Sequence, residues 1–290
     1  MERVLVTGAT GFIGHYVVRS LLRAGCAVIA SSANEQRARE QPWFDAVEYI
    51  PFDLARAEAD TDYFALFGKP DRMIHLAWEG LPNYRAPFHL DTNLPRHHAF
   101  LTGLVRHGLR QLTVAGTCLE YGMQEGCLSE SQPAEPANPY AQAKDSLRRQ
   151  LEQEQHELEQ HGHPWQLRWV RLFYLYGKGQ NPNSLFSQLD KALANHDEVF
   201  NMSGGEQVRD YLPVERVAQY LTAIALQDKI TGIINCCSGK PVTVRKMVED
   251  YLERKGQTIP LNLGYYPYPD YEPFRFWGNP SKLKTIEEHE

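Results

Sequence analysis

The most constraining feature of this sequence is a set of three evenly spaced glycines near its start. Gly8, Gly11 and Gly14 come directly after the apolar run Arg3 to Thr7, and an amphipathic pattern begins among them. An apolar run, a glycine turn and a helical pattern in this order predict the first strand and helix of a βαβ unit. Such a turn also lets a pyrophosphate approach the backbone, where a helix N-terminus offers free N–H groups. The segment therefore predicts a dinucleotide site, with an ordinary glycine-rich turn as the alternative.

Apolar runs of strand length alternate with helical patterns up to residue 172. The predicted strands are Arg3 to Thr7, Ala27 to Ala30, Glu48 to Phe52, Arg72 to Ala77, Gln111 to Ala115, Gln166 to Leu172 and, later, Gly232 to Cys236. The predicted helices after the first run from Thr92 to His107, Ala141 to Gln160, Leu185 to Ala194, Val214 to Leu226 and Val244 to Arg254. This alternation predicts an α/β fold of Rossmann type, a doubly wound parallel sheet covered on both faces.

The rhythm changes after residue 172, where loops rich in Gly, Pro and Asn separate the elements. We expect a dinucleotide-binding domain of residues 1–172 plus about 214–237. The remaining segments, about 173–213 plus 238–290, are expected to form a smaller C-terminal α/β substrate-binding lobe. Its aromatic segment 264–280 is expected either to line a ligand pocket or to pack onto the sheet.

Composition excludes several classes of protein. The chain has 290 residues, 36 acidic and 30 basic side chains, a net charge of −6 and no basic block, so nucleic acid is not an expected partner. Its apolar runs fall short of the ~20 residues of a membrane span. Five cysteines without a CxxC pair, and a start without a targeting signal, favour the cytoplasm. The eleven histidines show no HxxxH pair with a third ligand, so His97 and its neighbours are expected to be solvated and no metal is predicted.

The residues after the second predicted strand bear on the choice of cofactor. An acidic residue at this point would bind the ribose hydroxyl of NAD, but the chain has Ser31 and Ser32, with Arg37 and Arg39 a few residues on. Small hydroxyls and a guanidinium suit a 2′-phosphate. NADP(H) is therefore favoured, and NAD(H) is possible. Asp53 is positioned to bind the adenine amino group, or is a surface aspartate.

Tyr140 and Lys144 stand four residues apart at the start of a predicted helix, on the same helical face. A neighbouring ammonium favours a phenolate, so we expect Lys144 to lower the pKa of Tyr140 and make it a general acid or base. Thr117, directly after the fifth strand, is expected to reach the same crevice at the carboxyl ends of the strands.

Taken together, these motifs resemble the extended short-chain dehydrogenase/reductases, which include nucleotide-sugar epimerases, dehydratases and reductases. The likeness covers nearly the whole chain. Its markers are GATGFIG (8–14), HLAW (75–78), Asn93, GTCLEYG (116–122), PYAQAK (139–144), RLFYLYGKGQ (171–180), VRDYLPVERVA (208–218) and NCCSGKPVTV (235–244).

The resemblance implies a role for each matching position. Tyr140 would transfer the proton, Lys144 would hold the nicotinamide ribose, and Thr117 would bind the reacting sugar oxygen. Arg209 would contact the diphosphate of the substrate. Tyr174 stands in place of the family's phosphate-contacting asparagine, so its contact with the substrate is expected to differ from the family's. The residues expected to bind the dinucleotide are Gly8, Thr10, Gly11, Phe12, Ile13, Gly14, Ser32, Arg37, Asp53, Leu54, Leu76, Ala77 and Lys144.

One departure from the family narrows the expected chemistry. Cys118 and Leu119 stand where the family's dehydratases carry an Asp-Glu pair, which argues against elimination of water. The resemblance is strongest to reductases that act on the C4 keto group of a nucleotide-linked 4-keto-6-deoxyhexose. The alternatives are a nucleotide-sugar 4-epimerase with tightly bound NAD and, from another class, a dinucleotide-sensing protein without turnover. A homodimer is expected from the family.

Overall fold

Seven parallel strands form the central sheet, in the order β12-β7-β5-β4-β1-β2-β3. The structure, a computed structural model, describes residues 1–287. The strands are β1 Arg3–Thr7, β2 Ala27–Ser31, β3 Glu48–Tyr49, β4 Arg72–His75, β5 Gln111–Thr117, β6 Gly126–Leu128, β7 Gln166–Leu172, β8 Tyr174–Tyr176, β9 Phe200–Asn201, β10 Val208–Arg209, β11 Tyr211–Pro213, β12 Gly232–Cys236, β13 Val242–Thr243, β14 Leu261–Asn262 and β15 Phe276–Gly278. This order confirms the predicted doubly wound fold, and its switch point lies between β1 and β4.

Helices cover both faces of this sheet. They are α1 Phe12–Arg23, α2 Glu35–Arg39, α3 Tyr63–Leu66, α4 Leu94–Arg106, α5 Pro139–Gln160, α6 Leu185–Asn195, α7 Val214–Leu226, α8 Val244–Lys255 and α9 Ser281–Glu287. Side chains of β1 alternate between the faces, so that Val4 and Val6 pack with α1 and α7 while Leu5 packs with α4 and α5. Across the described residues, no helix is long and apolar enough to cross a membrane.

Several predicted elements differ at their ends from the observed ones. The third strand ends at Tyr49, because Pro51 has no N–H for the ladder, although Phe52 N still donates to Ser32 O at 3.2 Å. The fourth strand ends at His75 rather than Ala77. Helix α4 begins only after a single π-helical turn, His89–Asn93, which precedes it.

A separate apolar cluster lies within the predicted C-terminal lobe. It joins α6, α8 and β9 through buried side chains such as Leu189, Val248 and Phe200. Helix α9 differs, because its buried Leu283 and Ile286 pack into the core between α1, α7 and the large sheet. The last described helix therefore contributes to the packing of the large sheet, and the division of the chain into two units stays a prediction.

Candidate active site

The glycine turn leaves no room for side chains. Gly8 has a φ of +68°, and a Cβ there would lie 2.8 Å from Ala77 N, on the loop after β4. A Cβ on Gly14 would lie 2.1 Å from Gly8 O. Gly11 is the N-cap of α1 and provides no capping side chain. The turn therefore brings bare backbone to the switch point of the sheet, which is what a dinucleotide pyrophosphate requires.

The predicted adenosine end of this site lies along β2 and the loop after β3. Ser32 Oγ shares a hydrogen bond of 3.0 Å with Tyr49 OH, and Asp53 Oδ1 accepts from Ala55 N at 2.9 Å. The Arg37 side chain is exposed, whereas Arg39 pairs with Glu35 at 2.6 Å. These positions remain predicted cofactor contacts, with Arg37 the better placed of the two arginines to receive an anion.

Thr117, Tyr140 and Lys144 converge at the carboxyl end of β5, as the sequence predicted. Thr117 is the last residue of β5 and lines the same cavity as Tyr140, which stands in the first turn of α5. Asn138 fixes this turn, because its side chain accepts from Ala141 N at 3.0 Å. Lys144 Nζ donates to Ala115 O at 2.9 Å. All three side chains are buried, with Lys144 only 2% exposed.

Burial changes the titration of these groups. It raises the pKa of Tyr140 above that of a free phenol, and the nearby Tyr84 and Glu120 add to this effect. The expected lowering of the Tyr140 pKa by Lys144 is therefore wrong for this structure, since the cost of burying a phenolate dominates. Burial also lowers the pKa of Lys144 to about 7, against the opposing attraction of Glu120 and Glu79. Tyr140 thus holds its proton at neutral pH, the form that a proton donor needs.

A buried carboxylate that sequence reasoning missed orders the turn at Thr117. Glu120 is fully buried and accepts from Thr117 N at 2.8 Å, while Leu119 N donates back to the Thr117 hydroxyl at 3.2 Å. The same carboxylate accepts from Trp169 Nε1 at 2.9 Å and Arg171 Nε at 2.8 Å, both on β7. This capping box ties Thr117 to the neighbouring strand. A serine or threonine followed three residues later by glutamate is the sequence signal that could have found it.

Two of the three convergent side chains, Thr117 and Tyr140, open onto a cavity of about 300 Å³. Residues of the glycine turn, β5, α5, β8 and the aromatic segment line it, including Phe12, Ile13, Tyr174, Tyr271 and Glu272. A second cavity of about 620 Å³ shares Tyr174 and Tyr271 with the first and continues toward α6. The joined space is large enough for an extended ligand, with one end beside Tyr140.

Tyr174 and Arg209, the two predicted substrate-binding residues, bond to one carboxylate beside the first cavity. Arg209 Nη2 pairs with Glu272 Oε1 at 2.7 Å, and Tyr174 OH donates to Glu272 Oε2. Arg209 is only 1% exposed and also lies over Phe276, 4.7 Å from the ring centroid. The guanidinium is therefore held by this chain's own carboxylate, and its contact with a diphosphate stays a prediction. No spacing signal marks Glu272, which lies in an irregular segment far along the chain.

The aromatic segment has a mixed role. Tyr271 lines both cavities, and its ring lies 5.9 Å from that of Tyr84. Phe276 packs in a small core with Phe173, whereas Tyr265 and Tyr266 are exposed. Both of the expected alternatives, pocket lining and packing, therefore occur within it.

A family model confirms what the glycine turn and the convergent hydroxyls indicate. The model of the NAD dependent epimerase/dehydratase family matches residues 4–237. The chain belongs to this family. The predicted resemblance to the extended short-chain dehydrogenase/reductases is thereby confirmed.

Several members of the epimerase/dehydratase family and a solved structure match nearly the full chain. A dTDP-6-deoxy-L-talose 4-dehydrogenase (NAD(+)) of Aggregatibacter actinomycetemcomitans is 31% identical over 275 residues, which span 95% of this chain and 98% of the relative. A UDP-glucose 4-epimerase of Halalkalibacterium halodurans is 26% identical over 98% of this chain and 89% of its own. The UDP-glucuronic acid 4-epimerase structure from Bacillus cereus, 22% identical, superposes with a TM-score of 0.82 over 99% of this chain and 93% of its own. This last likeness shows that the family fold is shared.

Proposed function

We propose that this protein reduces the C4 keto group of a nucleotide-linked 4-keto-6-deoxyhexose to an alcohol. The carrying observation is that the side chains of Thr117 and Tyr140 line the same cavity, with buried Lys144 one helical turn after Tyr140 on α5. The 31% identical relative supports the choice of reaction, because its name gives oxidation at C4 of a 6-deoxyhexose on a dTDP carrier, the reverse direction of the same conversion.

Thr117, Tyr140 and Lys144 have different roles in the proposed reduction. A bound reduced nicotinamide dinucleotide supplies the hydride that the keto carbon receives. Thr117 and Tyr140 present two hydroxyls to the keto oxygen, and Tyr140 donates its proton to that oxygen as the C–O double bond becomes single. The raised pKa of Tyr140 suits this step, because the phenol is fully protonated before reaction. Lys144 places a positive charge next to the forming phenolate.

The proposal also includes a choice between NADP(H) and NAD(H). The end of β2 has no carboxylate for a ribose hydroxyl, and Arg37 is exposed nearby, which favours a 2′-phosphate. The name of the 31% identical relative gives NAD(+) instead. Parallel assays with NADPH and NADH decide the preference.

The experiment follows NADPH and NADH absorbance with a panel of nucleotide-linked 4-keto-6-deoxy sugars. We expect Tyr140→Phe to lose about 10²- to 10⁴-fold in kcat, because the proton donor is gone. Tyr63→Phe, which removes a buried hydroxyl that bonds the backbone of Glu58 away from the cavity, is the matched control and keeps its turnover. Full turnover in Tyr140→Phe contradicts the proposed proton donor.

The second candidate is a nucleotide-sugar 4-epimerase, which the 26% identical relative favours. An epimerase returns the hydride to the sugar, so its oxidised cofactor is not consumed. Stoichiometric NAD in the purified protein, together with interconversion of C4 epimers without added reductant, would establish this function. If the protein binds the dinucleotide but converts no sugar in either assay, the noncatalytic sensing role gains support.

A further inference from the structure

Trp78, the residue after Ala77 on the loop that follows β4, contacts the candidate lysine directly. The Lys144 ammonium lies 4.0 Å from the centroid of the indole ring. The His97 ring, from α4, stacks on the same indole at 4.4 Å and an interplanar angle of 26°. Trp78 also meets the Tyr140 ring edge-on, with centroids 6.0 Å apart. One aromatic side chain thus touches both groups of the predicted acid-base pair.

Lys144 requires such a contact for a physical reason. An ammonium carries three N–H donors and loses most of its hydration when it is only 2% exposed. The backbone oxygen of Ala115 accepts one donor at 2.9 Å. The face of an indole ring attracts a cation most strongly of the aromatic side chains, and this attraction grows as water is removed. The ring of Trp78 therefore compensates part of the cost of burying the charge.

The indole is held firmly in its own position. Trp78 Nε1 donates to His89 Nδ1 at 3.1 Å. His97, contrary to the expectation of a solvated side chain, is fully buried and bonds His75 Nε2 at 2.7 Å through Nδ1 and Glu79 Oε2 at 3.1 Å through Nε2. Burial lowers the pKa of His97, so the ring stacked on Trp78 is neutral at pH 7 and does not repel the lysine.

We propose that Trp78 is a positioning residue, whose ring holds the Lys144 ammonium in place and in its charged form beside Tyr140. The consequence for catalysis rests on the proposed function, because it requires that Lys144 assist Tyr140. The interaction itself can be measured without any sugar. Titratable and charged groups from several elements face Lys144. They are His75 at the end of β4, Glu79 on the loop after β4, His89 before α4, His97 on α4, Glu120 after β5 and Tyr140 on α5.

The test follows the titration of Lys144 by NMR in protein labelled with ¹³C at the lysine ε-carbon, with Lys144→Met to assign the signal. Tryptophan that carries progressively more fluorine withdraws charge from the ring face and keeps its shape. We expect each fluorine to lower the titration midpoint of Lys144, and Trp78→Leu to lower it by about one pH unit. Trp78→Phe, which retains a weaker ring face, is expected to lie between wild type and Trp78→Leu.

Fluorination reaches all five tryptophans, so the same series in Trp78→Phe is the matched control, and it should show no dependence on fluorine. A midpoint that does not respond to fluorine in the wild type, or that responds equally in Trp78→Phe, overturns the assignment. If Trp78→Leu does not fold, the fluorine series still decides. Should the midpoint shift while no sugar is reduced by wild type, Trp78 keeps its role and the proposed reaction fails. Where turnover is found, the alkaline limb of the kcat profile should move with the Lys144 midpoint, because Lys144 assists only in its charged form.

Discussion

Two carboxylates support two walls of the candidate site and are built differently: Glu120 is fully buried behind Thr117, and Glu272 borders the cavity with its side chain 9% exposed. Each pairs with a buried arginine: Glu120 with Arg171 at 2.8 Å and Glu272 with Arg209 at 2.7 Å. Glu120 bonds backbone and side chains of two adjacent strands of the sheet and is fully buried. Glu272 comes from an irregular segment, bonds only side chains among its named partners and borders the cavity.

The difference shows how one kind of ion pair can serve two purposes. Around Glu120 the partners are held by the β5 and β7 ladders, so the pair fixes the backbone of Thr117. Around Glu272 the partners are two side chains that face a ligand-sized space. We infer that the first wall is rigid and that the second can exchange its internal bonds for bonds to a substrate.

The largest expected effect is on the sheet side. Glu120→Gln leaves the Arg171 charge buried without its counterion, and we expect a loss of about 3–5 kcal/mol in the free energy of unfolding. Urea denaturation measures this loss. Glu154→Gln is the matched control, because Glu154 also pairs with an arginine at 2.7 Å but Arg106 is 45% exposed. Its expected cost is about 1 kcal/mol or less. If both substitutions lower the free energy of unfolding equally, the fully buried pair does not differ from the half-exposed one.

The pH dependence of stability tests the charge of Lys144. The Lys144 pKa of about 7 lies below its value of about 10.4 in an unfolded chain, so above pH 7 the unfolded state binds the extra proton. Stability relative to Lys144→Met should therefore rise from pH 7 to pH 9, by about 2 kcal/mol. Denaturation at these two pH values checks it, with Lys240→Met on an exposed loop as the control. A difference independent of pH contradicts the lowered Lys144 pKa.

On the lobe side we expect a smaller loss of stability and an effect on substrate binding. Glu272→Gln retains one oxygen to accept a bond but loses the charge that holds Arg209 and Tyr174 together. Arg209 keeps its bonds to the backbone oxygens of Val208 and Phe274, so we expect a loss of only about 1–2 kcal/mol in stability. We also expect a roughly tenfold higher KM for the nucleotide sugar, with kcat nearly unchanged. Steady-state kinetics and urea denaturation measure the two quantities. A lower KM would mean that Glu272 repels the anionic substrate instead of organising its site.

The smallest effect on stability is expected at Arg37. The side chain is exposed, so Arg37→Ala should change the free energy of unfolding by no more than about 0.5 kcal/mol. If the protein binds NADP(H), the same change should raise the KM for NADPH severalfold and leave that for NADH unaltered. Arg39→Ala is the matched control, because Arg39 is already paired with Glu35. If Arg37→Ala has the same KM as wild type for NADPH, and likewise for NADH, Arg37 does not bind the cofactor.

Sequence reasoning was most successful where the pattern is local. The first strand, the glycine turn and the Tyr140–Lys144 pair each lie within about a dozen residues, and backbone periodicity determines which side chains share a face. The doubly wound parallel sheet followed from the alternation of elements and the handedness of crossovers. By the same logic, Glu120 was predictable from its three-residue spacing to Thr117.

What only the tertiary structure decided depends on distant segments that meet. The sequence alone determined a doubly wound sheet and placed Thr117, Tyr140 and Lys144 at one crevice. It did not determine that Glu272 would reach Arg209, 63 positions earlier in the chain, or that Trp78 would lie on Lys144. Nor did it reveal the direction of the Tyr140 pKa, because burial depends on everything packed around a side chain, whereas spacing describes only its neighbours along the chain.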